Sequence, residues 1–337
     1  MAVKFGVFAD LHVDIMHDPQ QRLEAFLDAC RKEDVDFIIE LGDFCYPEEN
    51  EEVEISEKTS VNVLNALKSK TLIDKKEINR LFNEFEKPSY HVLGNHECDM
   101  CSKETTLKYY GIESNSYYSF DMGGFHFVVL DPNYYLKDGK FIAYERGNYF
   151  EVSYDDPPSL PFMPPEQTEW LREDLAKAQY PSIIFSHQRL IPKEYAAVRN
   201  YEPLQEVLHS APKGVLMSIN GHEHIDNLQL EDGIWYFNLN SISNCWLGTM
   251  FPCLGRYGEE IDELFPNIRY VVPYKDPLFA IITMDEDGAT VKGVTSEFVG
   301  PSPEELGCYT NPKSKFLTRL PHGPINAYIM DRYIPFK

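Results

Sequence analysis

The chain has 337 residues, a formal net charge of −23 and 43% hydrophobic residues, with 21 Phe and 21 Tyr. That length and apolar content suit one large α/β domain or two modest ones and exclude gross disorder. The acidic surface repels phosphate backbones and no Lys/Arg cluster offsets it, so a large nucleic-acid partner is not expected; small anionic substrates would need bound cations that reverse the sign locally.

The opening MAVKFGVF lacks the basic and long apolar regions of a signal peptide and reads as a first strand. No apolar run approaches transmembrane length. Seven scattered cysteines, an odd number, fit a reduced compartment better than a disulfide framework. The expectation is a cytoplasmic protein without membrane contact.

In chain order, Val3–Phe8 is a short apolar strand, and Pro19–Arg31 an amphipathic helix with Leu23, Phe26, Leu27 and Cys30 on one face. Asp36–Leu41 is a second strand, Val53–Glu86 is charged and mostly helical, and Ser89–Leu93 is a third strand. This βαβαβ order predicts a parallel sheet with helices on its faces. Tyr117–Phe120 and Phe125–Leu130 read as a hairpin, and Phe141–Pro165, rich in Pro, Tyr and Asp, as a surface loop. Pro165–Ala178 is a helix, Ser182–Phe185 a strand, Tyr201–Ser210 a helix and Gly214–Asn220 a strand. Hairpins follow around Asp232-Gly233 and Glu286–Gly288. Between them Cys245–Pro277 is irregular and aromatic, a segment of the size that selects substrates. The expected organisation is one domain over residues 1–337, with 245–277 as a cap insertion and 278–337 as C-terminal strands and tail.

Five of these strands end in polar clusters. They are Asp10-Leu11-His12, Gly42-Asp43, Gly94-Asn95-His96-Glu97, Ser186-His187 and Gly221-His222-Glu223-His224. Ligands bind at the carboxyl ends of strands in open α/β sheets, so the five clusters converge on one rim. Asp10, His12, Asp43, Asn95, His187, His222 and His224 supply two carboxylates, one amide oxygen and four imidazoles. This mixed N/O set suits Zn, Fe, Mn or Ni, and the absence of thiolates argues against a closed structural zinc site. Seven donors exceed what one divalent metal holds; with one carboxylate bridging they divide into two sites of four. Paired metals roughly 3.5–4 Å apart clamp a phosphoryl group and generate hydroxide at neutral pH. In Asp10-x-His12 and His222-x-His224, residues two apart on an extended segment would face one side.

Together these residues match the pattern D-x-H, G-D, G-N-H-[E/D], H, G-H-x-H, and the chain resembles the calcineurin-like metallophosphoesterase superfamily over residues 3–240. The resemblance implies a four-layer α/β/β/α sandwich with two mixed central sheets. It implies that Asp10, His12, Asp43 and His224 hold a first metal, that Asp43 bridges, and that Asn95, His187 and His222 hold a second. His96 would face the substrate, stabilise the phosphoryl transition state and protonate the leaving oxygen. Glu97 either orients its neighbours or is a solvated, helix-starting carboxylate.

Protein serine/threonine phosphatases of the superfamily resemble G-D-x-V-D-R-G at the second motif, whereas here Gly42-Asp43-Phe44-Cys45-Tyr46-Pro47 has no Arg. The same stretch matches the G-D-x-x-Y of purple acid phosphatases, which lack the His of D-x-H. With His12 present, Tyr46 is read as a substrate-pocket residue, or as packing under the following loop. Cys98-x-x-Cys101 is either a redox pair near the metals or structural. His17, His91 and His126 read as packing or surface residues. Trp246, Arg256, Tyr257 and Arg269 are the groups that the 245–277 segment could offer a substrate.

The expected function is hydrolysis of a small phosphodiester or phosphomonoester, with a metal-activated hydroxide attacking in line and His96 assisting the leaving group. The alternatives are a non-enzymatic scaffold on this fold, a nucleotide pyrophosphatase and a purple-acid-phosphatase-like monoesterase. The acidic chain leans to the diester, which asks for fewer cations than a monoester dianion.

Overall fold

The computed structural model describes residues 2–45, 73–113, 115–151, 160–192, 197–311 and 325–336. Apolar runs with few polar breaks form the parallel centre of each of two sheets, as strands buried on both faces must. In the first sheet VKFGVF (β1, Val3–Phe8), FIIE (β2, Phe37–Glu40) and SYH (β3, Ser89–His91) run parallel. β14 (Ala280–Met284) adds antiparallel to β1, followed by β15 (Gly288–Lys292) and β16 (Arg332–Pro335), giving the order β16-β15-β14-β1-β2-β3. The second sheet has the order β10 (Asn227–Glu231), β11 (Ile234–Asn238), β9 (Val215–Asn220), β8 (Ser182–Ser186), β5 (Phe125–Val129), β4 (Tyr118–Met122). Its four central strands are parallel and its two edge pairs antiparallel. Both sheets are mixed, as the resemblance implied.

The sheets face each other across a core in which Phe5 stacks on Phe37 at 4.8 Å and Phe127 on Phe185 at 5.8 Å. The outer face of the first sheet is covered by α1 (Pro19–Glu33) and α2 (Lys75–Asn83), through Leu23, Phe26, Ile78 and Phe82. α1 starts with Pro19 in its first turn and stops where Asp34 turns left-handed at φ 49°. α3 (Lys103–Tyr109) follows the third polar cluster. α4 (Pro165–Lys177) and α5 (Tyr201–His209) cover the second sheet with Leu171, Leu175, Leu204 and Val207. Truncating Phe127, fully buried and touching Phe5, Phe37, Phe120 and Phe185, removes a ring from the centre of that core. Phe127→Ala is expected to cost about 3–5 kcal/mol, read from urea unfolding as a shifted midpoint at constant slope.

Two readings change. Phe141–Pro165 does not begin as a loop: β6 (Tyr134–Lys137) and β7 (Lys140–Ala143) form a hairpin turned by Asp138-Gly139, both at positive φ. The irregular Cys245–Pro277 stretch contains α6 (Glu259–Leu264) and β13 (Val271–Pro273), which pairs with β12 (Asn244–Trp246). These elements are too short to carry a readable period. Of the helix expected over Val53–Glu86, positions 53–72 lie outside the described residues. Among the described residues no helix is long and apolar enough to cross a membrane.

Candidate metal centre

Each polar cluster follows the carboxyl end of its strand: Asp10 and His12 after β1, Asp43 after β2, Asn95 and His96 after β3, His187 after β8, His222 and His224 after β9. The donors are not presented by extended backbone. Asp10, His12, Asp43, His222 and His224 all have left-handed φ, at 57°, 50°, 54°, 71° and 52°. Non-glycine residues adopt this region at a cost, and such strain collects at functional sites. Backbone ties hold it. Asp10 N donates to the Gly42 carbonyl at 3.0 Å, His12 N to the Asp43 carbonyl at 2.9 Å, and His222 N to Asp10 Oδ2 at 3.1 Å. Gly42 turns the chain at φ 91°, whereas Gly94 has no positive φ and makes room instead. A Cβ on Gly94 would sit 2.3 Å from both Asp43 N and Asp43 Oδ1.

Six of the seven donors gather as two groups. Asp10, His12 and His224 form one, with His12 Nε2 and His224 Nε2 facing each other at 3.1 Å and His224 Nε2 3.4 Å from Asp10 Oδ1. Asp43, His187 and His222 form the other, with His222 Nδ1 3.1 Å from His187 Nε2 and Asp43 Oδ2 3.1 Å from His187 Nε2. Asp43 Oδ2 also lies 3.9 Å from His12 Nε2, so this carboxylate stands between the groups. His187 donates Nδ1–H to the Leu41 carbonyl and His224 donates Nδ1–H to the Asn244 carbonyl, both at 2.7 Å. Each ring is thereby fixed with the Nε2 lone pair turned to the centre, the arrangement of metal-ligating histidines.

Asn95 gives an independent test of fit. Its Nδ2–H donates to the Tyr149 hydroxyl at 3.3 Å, while its Oδ1 is buried and has no hydrogen-bond partner among the described residues. A buried carbonyl oxygen left without a donor is rare, and a cation satisfies it. Burial lowers the pKa of His12 and of His222, keeping them neutral as ligation requires. Burial also opposes charge on His187, but the Asp43 carboxylate outweighs it and pushes that pKa up to about 9. The pocket therefore attracts positive charge at the place where the donors converge. The residues present fit a pair of divalent cations.

His96 lies outside both groups and is the more open side chain, 20% exposed against 0% for Asp99 behind it. Its N–H donates to Asp43 Oδ1 at 2.9 Å and its Nδ1 meets Asp99 Oδ2 at 2.7 Å. Tyr149 donates to Asp99 Oδ1 at 2.5 Å. Burial alone would lower the His96 pKa; the charges of Asp99 and Asp43 overcome it and push it up to about 10. The ring is thus poised as an imidazolium. Asp99 and Tyr149 went unread in the sequence. Asp99 carried a signal, since His-x-x-Asp on a tight turn brings the two side chains together; Tyr149 carried none.

Glu97 is structural support, not a solvated carboxylate. It is 1% exposed and accepts Gly94 N at 2.7 Å, Asp43 N at 3.0 Å and also Phe44 N. One side chain thus ties the second and third ligand loops together. A similar tie comes from Glu40, which accepts Gly42 N at 2.7 Å and pairs with buried His91 at 2.8 Å.

Tyr46, read as a substrate-pocket residue, lies outside the described residues. Cys98 and Cys101 are both buried, and burial raises the Cys98 thiol pKa well above its ordinary value, opposite to a reactive thiolate. His126 is held between Asp121 and Asp174, at 2.7 and 2.8 Å, and His17 packs on Tyr257. Arg256 turns to the carbonyls of Val299 and Pro301, and Arg269 to that of Asp262. Trp246 does reach the centre, with its ring 6.4 Å from that of His12.

A dimetal phosphatase from Danio rerio is similar in fold, with a TM-score of 0.59 and 17% identity over 88% of this chain and 98% of that one. Purple acid phosphatase 15 of Arabidopsis thaliana is 28% identical over 156 residues, 41% of this chain. The chain spans only 24% of the length of that relative. The family model described as calcineurin-like phosphoesterase matches residues 3–226, which include every donor named above. The chain belongs to the calcineurin-like phosphoesterase family.

Proposed function

We propose that the protein is a metal-dependent phosphoesterase that hydrolyses a small phosphodiester or phosphomonoester, in the cytoplasm and without a nucleic-acid or membrane partner. The observation that carries this reading is the joining of two donor groups by Asp43, with His96 bonded to that same carboxylate through its backbone. Asp10, His12, Asp43 and His224 would hold one cation, and Asp43, Asn95, His187 and His222 the other. Mn, Fe or Zn suits these N/O sets, and Ni is compatible. When bound, such a pair supplies Lewis acidity towards the phosphoryl oxygens and an acidified water.

The chain's own groups do the rest. Asp99 holds Nδ1 of His96, so proton delivery falls to Nε2. The imidazolium stabilises charge that develops on the phosphoryl group and gives its proton to the leaving alcohol as the P–O bond breaks. Asp99 and Tyr149 keep the ring in place throughout.

The test is metal analysis together with hydrolysis of para-nitrophenyl phosphate and bis-para-nitrophenyl phosphate across added Mn, Zn, Fe and Ni. The expected result is about two metals per chain, turnover abolished by EDTA, and turnover restored on reloading. Turnover that persists in metal-free protein would overturn the reading. Two bound metals with no turnover of any ester would return it to the scaffold alternative.

A further inference from the structure

Four rings stand in sequence across the centre. Trp246 lies 6.4 Å from His12, His12 lies 5.6 Å from His96, and His96 lies 6.5 Å from Phe150. The inner two belong to the machinery already described; the outer two do not, and both are partly exposed. Each outer ring is backed by its own packing. Trp246 rests on the cluster of Met16, Ile268 and Val271, and Phe150 rests on Tyr149 at 4.4 Å. Their supports are also tied to the site. Ser241 and Ser243, just before β12, donate to the carbonyls of Asp10 and Leu11 at 2.9 and 2.8 Å, and Tyr149 bonds Asp99. Large, partly exposed aromatic rings held this firmly offer apolar surface at low entropic cost.

The chemistry assigns the two faces different tasks. A leaving oxygen that takes its proton from His96 must lie within hydrogen-bond reach of that ring. The group attached to that oxygen then lies on the Phe150 flank. Trp246, on the His12 flank, faces a substituent that stays on phosphorus. A monoester has no such substituent, and a diester has one. We propose that Phe150 and Trp246 are specificity-determining residues for a phosphodiester that carries a planar unsaturated group on each side, Phe150 receiving the leaving group and Trp246 the retained one. This rests on the phosphoesterase function proposed above and narrows it to a substrate class.

Three chromogenic esters separate the flanks: para-nitrophenyl phosphate, methyl para-nitrophenyl phosphate and bis-para-nitrophenyl phosphate. All share one leaving group and differ in what phosphorus retains. In metal-loaded Trp246→Leu, the kcat/KM ratio of the bis-aryl to the methyl aryl diester is expected to fall about tenfold, a typical stacking loss, and Trp246→Phe should restore it. In Phe150→Leu both diesters should fall by a similar factor while their ratio holds. Wild-type enzyme should be inhibited at least about tenfold more tightly by diphenyl phosphate than by dimethyl phosphate, a reading that needs no variant to fold. An unmoved ratio in Trp246→Leu with two metals bound, or equal inhibition by the two diesters, would overturn the proposal and leave the phosphoesterase function standing. Failure of the metal-loaded wild type to turn over any of the three would overturn both.

Discussion

Asp43→Asn is expected to lose metal from the centre and to lower kcat by roughly a thousandfold or more, since a catalytic metal contributes several kcal/mol at 1.36 kcal/mol per decade. The substitution is a clean one. Asparagine tolerates the left-handed φ of 54° that this position requires, so backbone strain does not change. The amide oxygen can still accept His96 N, as Asp43 Oδ1 does at 2.9 Å. What disappears is the negative charge between His187 at 3.1 Å and His12 at 3.9 Å. An amide oxygen, already supplied once by Asn95, is a weaker and less shareable ligand than a bridging carboxylate. Metal analysis should therefore find fewer than two ions per chain. A second readout does not depend on turnover: ligands that bind only the folded state raise the melting temperature. Added Mn or Zn should raise it clearly in wild type and much less in the variant. Wild-type metal content in Asp43→Asn would show that Asp43 does not bridge.

Much of this centre was legible in the sequence because each donor sits just past a strand that is itself legible. The apolar run before Gly42-Asp43 fixes where the chain emerges, and parallel pairing within each sheet makes β1, β2 and β3 emerge at one end, and β8 and β9 likewise. The local geometry was not legible in the same way. Alternation along an extended segment would put both donors of Asp10-x-His12 and of His222-x-His224 on one side, yet left-handed turns at the donors themselves make the convergence. Aspartate and histidine are enriched in that region but not confined to it; hydrogen bonds from other loops, such as His12 N to the Asp43 carbonyl, hold them there. The same limit applies to Tyr149, which reaches the centre from a remote segment with nothing near it in the chain to announce its partner. Trp246 is legible as one of four groups that the 245–277 segment could offer a substrate, and the structure brings it, at 6.4 Å from His12, to the centre. Glu97 shows the reverse case. The sequence left two roles open, and burial with three backbone N–H donors decides between them.

His96→Ala is expected to separate metal binding from proton transfer. His96 belongs to neither donor group, so two ions per chain should remain. A positioned general acid contributes about 10²–10⁴-fold, and that loss should appear in kcat for esters of ordinary alcohols. It should be much smaller for para-nitrophenyl esters, because para-nitrophenolate departs without a proton. A plot of log kcat against leaving-group pKa should therefore be shallow in wild type and steep in the variant. The pH dependence has a definite sign. The imidazolium is the active form, and burial, which would lower its pKa, is outweighed by Asp99 and Asp43, which raise it. For alkyl esters the wild-type rate should hold below that pKa and fall as pH rises through it, at a pH below about 10 once cations add opposing charge. The variant's profile should lack that descending limb. Equal losses for alkyl and para-nitrophenyl esters would instead assign His96 to charge stabilisation alone, with the proton supplied by another group.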